Sequence, residues 1–151
     1  MTKIQATNPA FADEIRASFA KQTIMDLIGG ELTRIEPGVV EITLPYRADL
    51  TQQHGYVHAG IVTTIADSAC GYAAYTLMPP DSDVLAVEFK VNLLRPAKGE
   101  IFVARAEVIK PGRTLTVVRA DVVATDGAET HSLVATMLGT MMRLPRASGL
   151  S

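Results

Sequence analysis

The stretch from Val57 to Leu77 is the longest apolar segment of the chain, and it contains a single carboxylate, Asp67. A helix built from it would carry Ile, Val, Ala, Gly or Cys on every face, so we expect other structure to cover it. Burying an ionised carboxylate in such surroundings is costly unless the carboxylate has a partner. Packing alone therefore does not explain Asp67. The same carboxylate, with the Thr and Ser residues around it, argues against a membrane span.

The segments on either side of this helix predict a mixed fold. Apolar residues at four-residue intervals indicate an N-terminal helix over 9–21, a short helix follows over 23–28, and a Pro-Gly turn joins two strands over 32–36 and 39–44. After the central helix, extended segments are expected over 84–94, 101–109, 114–123 and 132–144, separated by turn residues. The central helix is the only large apolar element available to cover these strands. The sequence thus predicts an α+β fold, in which a curved antiparallel sheet wraps around the central helix.

Alternation within the strands assigns their faces. The row Phe102, Ala104, Ala106 and Val108 is expected to be buried, and the row Val87, Phe89, Val91 and Leu93 is expected to share one face of its strand. We expect one compact domain over 30–145, preceded by a helical segment over 1–29 and followed by a tail over 146–151.

The net charge and the cysteine content indicate which partners and which compartment to expect. The net charge is −2, which gives no overall electrostatic case for binding nucleic acid or an anionic membrane surface. The chain has one cysteine, Cys70, and its first residues lack the apolar core of a secretory signal. We expect a cytoplasmic protein that binds neither nucleic acid nor membrane.

The residues at the start of the central helix carry a family resemblance. His58-Ala59-Gly60, followed by Ala66-Asp67, resembles the His-Gly-Gly and downstream Asp signature of the phenylacetate-degradation (PaaI-like) thioesterases, which have the hotdog fold. The resemblance covers roughly 30–144. It implies hydrolysis of acyl-coenzyme A thioesters and assembly into homodimers or homotetramers, with no cofactor beyond the coenzyme A of the substrate.

Three positions depart from the family pattern. Gln52 stands where relatives usually have Asn, Ala59 where they have Gly, and Ala86 where some have Ser or Thr. Gln52 can orient a water as Asn does, because the two side chains carry the same amide. The missing hydroxyl at Ala86 leaves open a slower or differently assisted reaction.

The chemistry of thioester hydrolysis assigns roles to these residues. The backbone N–H groups of Ala59 and Gly60 lie at a helix N-terminus, where they can stabilise negative charge on a carbonyl oxygen. Asp67 can act as general base or as nucleophile, and the residues leave that choice open. Asp67 lies about 12 Å along the helix from Ala59, too far to serve the same carbonyl in one subunit. The resemblance implies that Asp67 serves the partner subunit, because the two central helices of a hotdog dimer run antiparallel.

Other candidate residues surround this centre. His58 either positions the ligand or is an ordinary loop residue, and Asp67 could instead be a structural carboxylate bound by the hydroxyls of Thr63 and Thr64. Arg95, Lys98, Lys110 and Arg113 lie at turns and are candidates for the coenzyme A phosphates or for plain surface charges. Ile61, Thr64 and Phe89 are candidates for lining the acyl pocket.

Several readings are less favoured. His54 and His58 have a spacing seen in metal pairs, but no third ligand is evident, so we expect no metal. Cys70 and Ser68 lack a base at motif spacing and are not expected to be nucleophiles. Two alternative functions remain: a hotdog dehydratase or hydratase, and an acyl-CoA binding or sensing module without turnover.

Overall fold

A computed structural model describes residues 4–127 and 130–146. Its helices are α1 (Phe11–Phe19), α2 (Thr23–Ile28) and α3 (Ala59–Tyr75), with a 3-10 turn at Ala48–Leu50. Its strands are β1 (Glu31–Glu36), β2 (Val39–Pro45), β3 (Ser82–Leu93), β4 (Ile101–Lys110), β5 (Leu115–Thr125) and β6 (His131–Pro145). Every predicted helix and strand is present, close to its predicted ends.

The six strands form one antiparallel sheet in the order β1-β2-β4-β5-β6-β3, and α3 packs against it. The predicted inward row of β4 is confirmed, since all four of its residues are buried. Two of those residues are alanines, and their small side chains let the sheet approach the helix closely. The architecture is the predicted α+β hotdog fold.

The two N-terminal helices share this core. Ile15, Met25 and Ile28 are fully buried and belong to the same apolar cluster as the residues of α3 and the sheet. Gly29 ends α2 with a left-handed conformation, φ 79°, which a glycine adopts without strain. At the other terminus, Arg146 donates a hydrogen bond to the Tyr75 hydroxyl at 2.8 Å, while 147–151 of the predicted tail lie outside the described residues.

Strand β3 forms one edge of the sheet and is unusually apolar for an edge. Leu85, Val87 and Phe89 are each between 42% and 51% exposed. The strand register shifts between Ala86 and Glu88, which places a bulge at Val87. The prediction that Val87 shares a regular row with Phe89 is therefore wrong, because the bulge interrupts the alternation there.

Helix α3 is only partly covered. Gly60, Thr64, Asp67 and Gly71 recur at spacings of three and four residues, so they lie along one face, and none of them is buried. We call these four residues the open stripe. The expectation that other structure covers the whole helix is wrong for the single chain, because its sheet and N-terminal helices leave this face free.

Across 4–127 and 130–146, no helix combines the length and hydropathy that crossing a bilayer requires. Over the same residues, no three His, Cys, Asp or Glu side chains gather into a group that could hold a metal ion.

Candidate active site

The N-terminus of α3 is fixed by His58. Its backbone N–H donates to the carbonyl of Leu50 at 2.9 Å, and its ring Nδ1 accepts the N–H of Gly60 at 2.9 Å. A side chain at position 60 would crowd that ring, since a Cβ there would lie 3.0 Å from Nδ1. The N–H of Ala59 has no hydrogen bond to any described residue. Of the two predicted amide donors, Ala59 is thus the one left available for a ligand.

Gln52 is held in the loop before the helix. Its Oε1 accepts the backbone N–H of His54 at 2.5 Å, which leaves the side-chain NH₂ group free to donate elsewhere. Gln52 and Ala59 line the same cavity of about 340 Å³, which we call the helix-end cavity. Its remaining walls are mostly apolar and include Val57, Val62, Leu93, Leu94 and Val134.

A larger cavity of about 680 Å³ adjoins the helix-end cavity. The two share Tyr56, Arg95 and Pro96 as lining residues, so they lie side by side, and we call the pair of cavities the groove. Lys98 lies on the wall of the larger cavity. The residues that line the groove therefore include Ala59, whose N–H pairs with no described residue, and two cations.

The four predicted phosphate-binding cations do not form one cluster. Arg95 and Lys98 precede β4, whereas Lys110 and Arg113 lie at its far end and beyond. A strand of this length separates its ends by about 30 Å. Within one chain, only the first pair can serve the groove at the start of α3.

Asp67 lies in a separate cavity of about 190 Å³, the Asp67 cavity. Its Oδ1 is buried and accepts no hydrogen bond from any described residue, and burial raises the pKa of this carboxyl above its ordinary value. The hydroxyls of Thr63 and Thr64 donate instead to the carbonyls four residues earlier, at 2.8 Å each. They do not supply the partners that a structural role for Asp67 would require.

The Asp67 cavity contains polar residues that sequence reasoning missed. Ser68 Oγ donates to Gln22 Oε1 at 3.2 Å, and Gln22 Nε2 donates to the Tyr72 hydroxyl at 3.0 Å. That hydroxyl also shares a hydrogen bond of 3.1 Å with Ser18 Oγ. No motif spacing signals this network, because it depends on how α1 and α2 pack on α3. Ala86 lines the same cavity as Asp67.

The two halves of the predicted site stay apart in one chain. The helix-end cavity and the Asp67 cavity have no lining residue in common. Ala59 and Asp67 are eight positions apart on one helix, or about 12 Å. A single chain does not bring the amide donor and the carboxylate to one carbonyl group.

The three predicted acyl-pocket residues lie outside both of these cavities. Ile61 packs partly against the core, Thr64 belongs to the open stripe, and Phe89 is exposed on β3. Thr64 thus faces the uncovered side of α3, and Phe89 is partly exposed to solvent. Their part in acyl binding stays a prediction for an assembled form.

Cys70 is fully buried in α3. Burial, followed by the nearby charge of Asp67, raises the pKa of its thiol to about 12, so the thiol stays protonated at neutral pH. We expect Cys70→Ala to keep the wild-type kcat while lowering the free energy of unfolding by about 1 kcal/mol. Steady-state kinetics and thermal unfolding check the two expectations, and a large loss of kcat in a folded variant would restore Cys70 as a nucleophile.

Comparison with known proteins gives a consistent result. The model of a family described as the thioesterase superfamily matches residues 54–131. A candidate esterase from Saccharolobus solfataricus is 34% identical over 127 residues, which are 84% of this chain and 81% of that protein. A 1,4-dihydroxy-2-naphthoyl-CoA hydrolase from Listeria monocytogenes is 28% identical over 94 residues, or 62% of this chain and 76% of that one.

Solved structures resemble the chain as well. A thioesterase family protein from Silicibacter pomeroyi is 53% identical, with a TM-score of 0.86, and the match covers 89% of this chain and 98% of that one. The E. coli PaaI protein from the phenylacetic acid degradation operon has a TM-score of 0.79 over 89% of this chain and 93% of its own, at 20% identity. At 20% identity, the similarity to the PaaI protein supports a shared fold and nothing more.

Proposed function

The chain belongs to the thioesterase superfamily, and from that premise we propose that it hydrolyses acyl-CoA thioesters to a free acid and coenzyme A. One observation carries the proposal: Asp67 has a buried oxygen with no hydrogen-bond partner among the described residues, in a cavity beside an uncovered helix face. A carboxylate kept in this state is suited to accept a proton from water.

In the proposed reaction, Asp67 takes a proton from a water molecule as the water oxygen attacks the thioester carbon. The N–H of Ala59, at the positive end of the α3 dipole, stabilises the negative charge that develops on the carbonyl oxygen. The carbon–sulfur bond then breaks, and the proton on Asp67 passes to the departing thiolate. Attack by Asp67 itself, followed by hydrolysis of the resulting anhydride, uses the same two groups.

The site is proposed to form between two copies of the chain. In an antiparallel pair of α3 helices, Ala59 of one copy lies opposite Asp67 of the other when the two-fold axis passes near Thr63, midway between them. Because Gly60 and Gly71 have no side chains, the open stripe lets two such helices approach each other closely. The apolar edge of β3 adjoins this face and offers unpaired backbone groups to a second β3. Pairing of two dimers into a homotetramer belongs to the same proposal.

The proposed substrate follows from the groove. Its apolar walls suit an acyl or pantetheine chain, and Arg95 and Lys98 suit the phosphates of coenzyme A. The Listeria monocytogenes relative carries an acyl-CoA hydrolase name, which favours the same carrier here. His58, Ala59, Gly60 and Asp67 favour the phenylacetate-degradation type within the superfamily. A reduced Cys70 and a coenzyme A ester both suit a cytoplasmic location.

Release of free thiol tests the proposal most directly. We expect the purified protein to release coenzyme A from at least one member of a panel of short, long and aromatic acyl-CoA esters. Binding of such esters without any thiol release would favour the sensing module. Hydration of an enoyl ester would favour the hydratase.

The proposal that the site forms between two copies of the chain has its own test. Dimers mixed from an Asp67→Asn chain and an Ala59→Pro chain contain hybrids in which one site keeps both groups. Co-expression in equal amounts should therefore restore about a quarter of the wild-type activity, although each parent alone is nearly inactive. Activity no greater than that of the parents would place both groups within one chain and contradict the shared site.

A further inference from the structure

The polar network of the Asp67 cavity carries an inference that rests on the proposed function and deepens it. Hydrolysis needs a water fixed against the carboxylate, and in some relatives a hydroxyl early in β3 is expected to help. Here that position is Ala86, which offers only a methyl group. The cavity of about 190 Å³ is nevertheless large enough for several water molecules.

The hydrogen bonds decide which group can replace the missing hydroxyl. Ser68 Oγ donates its hydrogen bond to Gln22 Oε1, so the lone pairs of Ser68 can accept a hydrogen bond. Gln22 is itself held by Tyr72, because its Nε2 donates to the Tyr72 hydroxyl. The direction of the Ser68 hydroxyl is thus set by a residue of the N-terminal segment.

We propose that Ser68 binds the attacking water beside Asp67, and that Gln22 is the positioning residue that turns the Ser68 oxygen toward that water. The water donates one proton to Asp67 and the other to Ser68 Oγ, which leaves a lone pair free to attack the thioester carbon. Ser68 is the neighbour of Asp67 on α3 and lines the same cavity. The N-terminal segment, which lies outside the recognised motif, thereby acts in the chemical step.

Paired variants at Ser68 test the idea, because Thr and Val have nearly the same shape and differ by a hydroxyl. We expect Ser68→Val to lower kcat about tenfold, since the water is held less precisely. KM should stay within about twofold, because the substrate contacts are unchanged. Ser68→Thr should keep a kcat close to wild type. Equal kcat values for the two variants would overturn the proposal.

Gln22→Met supplies a second arm that changes no residue of α3, although it also removes the hydrogen bond from Gln22 to the Tyr72 hydroxyl. It keeps the length of the side chain and removes the acceptor for Ser68, so kcat should fall while KM holds. The double variant Gln22→Met/Ser68→Val should be no slower than Ser68→Val alone, because both act on one water. Additive losses, or a wild-type kcat in Gln22→Met, would overturn the positioning role. A wild-type protein that releases no thiol overturns the proposed function, and this inference with it.

Discussion

Replacing Asp67 with Asn is expected to lower kcat by about a hundredfold to ten-thousandfold, the usual contribution of a general base. The amide has nearly the shape of the carboxylate but does not accept a proton at neutral pH. Thiol release from the best acyl-CoA ester measures the loss. Asp13→Asn is the matched control, because Asp13 is exposed on α1 and, among the described residues, forms an ion pair with Arg16 alone, at 3.5 Å.

The pH profile gives the same residue a second readout. Burial raises the pKa of Asp67 above its ordinary value of 3.8, and only the ionised form is a base. We therefore expect kcat/KM to fall on the acid side, with a midpoint above that value. An acid limb that persists unchanged in the residual activity of Asp67→Asn would assign the titration to another group.

The Asp67→Asn substitution is expected to lower activity without lowering the stability of the folded protein. A carboxyl whose pKa is raised by folding stabilises the folded state at pH values below its unfolded pKa, and this contribution is lost as the pH rises through its folded pKa. At neutral pH the wild-type carboxylate is thus an unfavourable buried charge. We expect Asp67→Asn to unfold at the same temperature as wild type or higher, in the same oligomeric state. A lower unfolding temperature would identify Asp67 as a structural residue.

Replacing Ala59 with Pro is expected to lower kcat by about a hundredfold to a thousandfold, as the loss of one oxyanion donor does elsewhere. Proline removes the backbone N–H and little else at this position. Ala59 is the first residue of α3, where the helix does not use that N–H and where proline fits well. His58 precedes it with φ −59° and ψ 138°, a conformation that a residue before proline readily adopts.

The control for Ala59→Pro is Ala59→Gly, which keeps the N–H and restores the residue usual in the family pattern. It should retain a kcat near that of wild type. Circular dichroism and the unfolding temperature check that the proline variant keeps its helix. Wild-type turnover by a folded Ala59→Pro protein would show that this amide does not stabilise the transition state.

Periodicity was sufficient to predict most of the fold. The alternating row of β4 and the apolar length of α3 have few other ways to be buried, so the sheet and its central helix follow from the sequence. The bulge at Val87 did not, because the residues from Val84 to Val87 are all apolar, so a one-residue register shift there leaves no mark in the sequence pattern. The open stripe was missed for a related reason. A sequence pattern says that a face avoids water, but it does not say whether the same chain covers it.

The site was predictable where spacing along one helix determines it. Ala59, Gly60 and Asp67 belong to a local motif, although the engagement of the Gly60 amide by His58 emerges only from the side-chain geometry. The parts played by Gln22 and Ser18 could not be predicted, because they form hydrogen bonds with residues of α3 that lie 46 to 54 positions away in the sequence. Likewise, the length of β4 separates two cation pairs that look like one group in the sequence.

The apolar edge of β3 also bears on how the protein is made. A newly synthesised chain presents a strand of 12 residues whose outer edge is unpaired, and such an edge can pair with an exposed strand nearby. Correct assembly therefore competes with aggregation from the moment the sheet forms. Slow expression or low temperature should favour the soluble product by keeping the concentration of unpaired chains low. The strand that we propose joins two copies of the chain is thus also the strand most exposed to aggregation during biosynthesis.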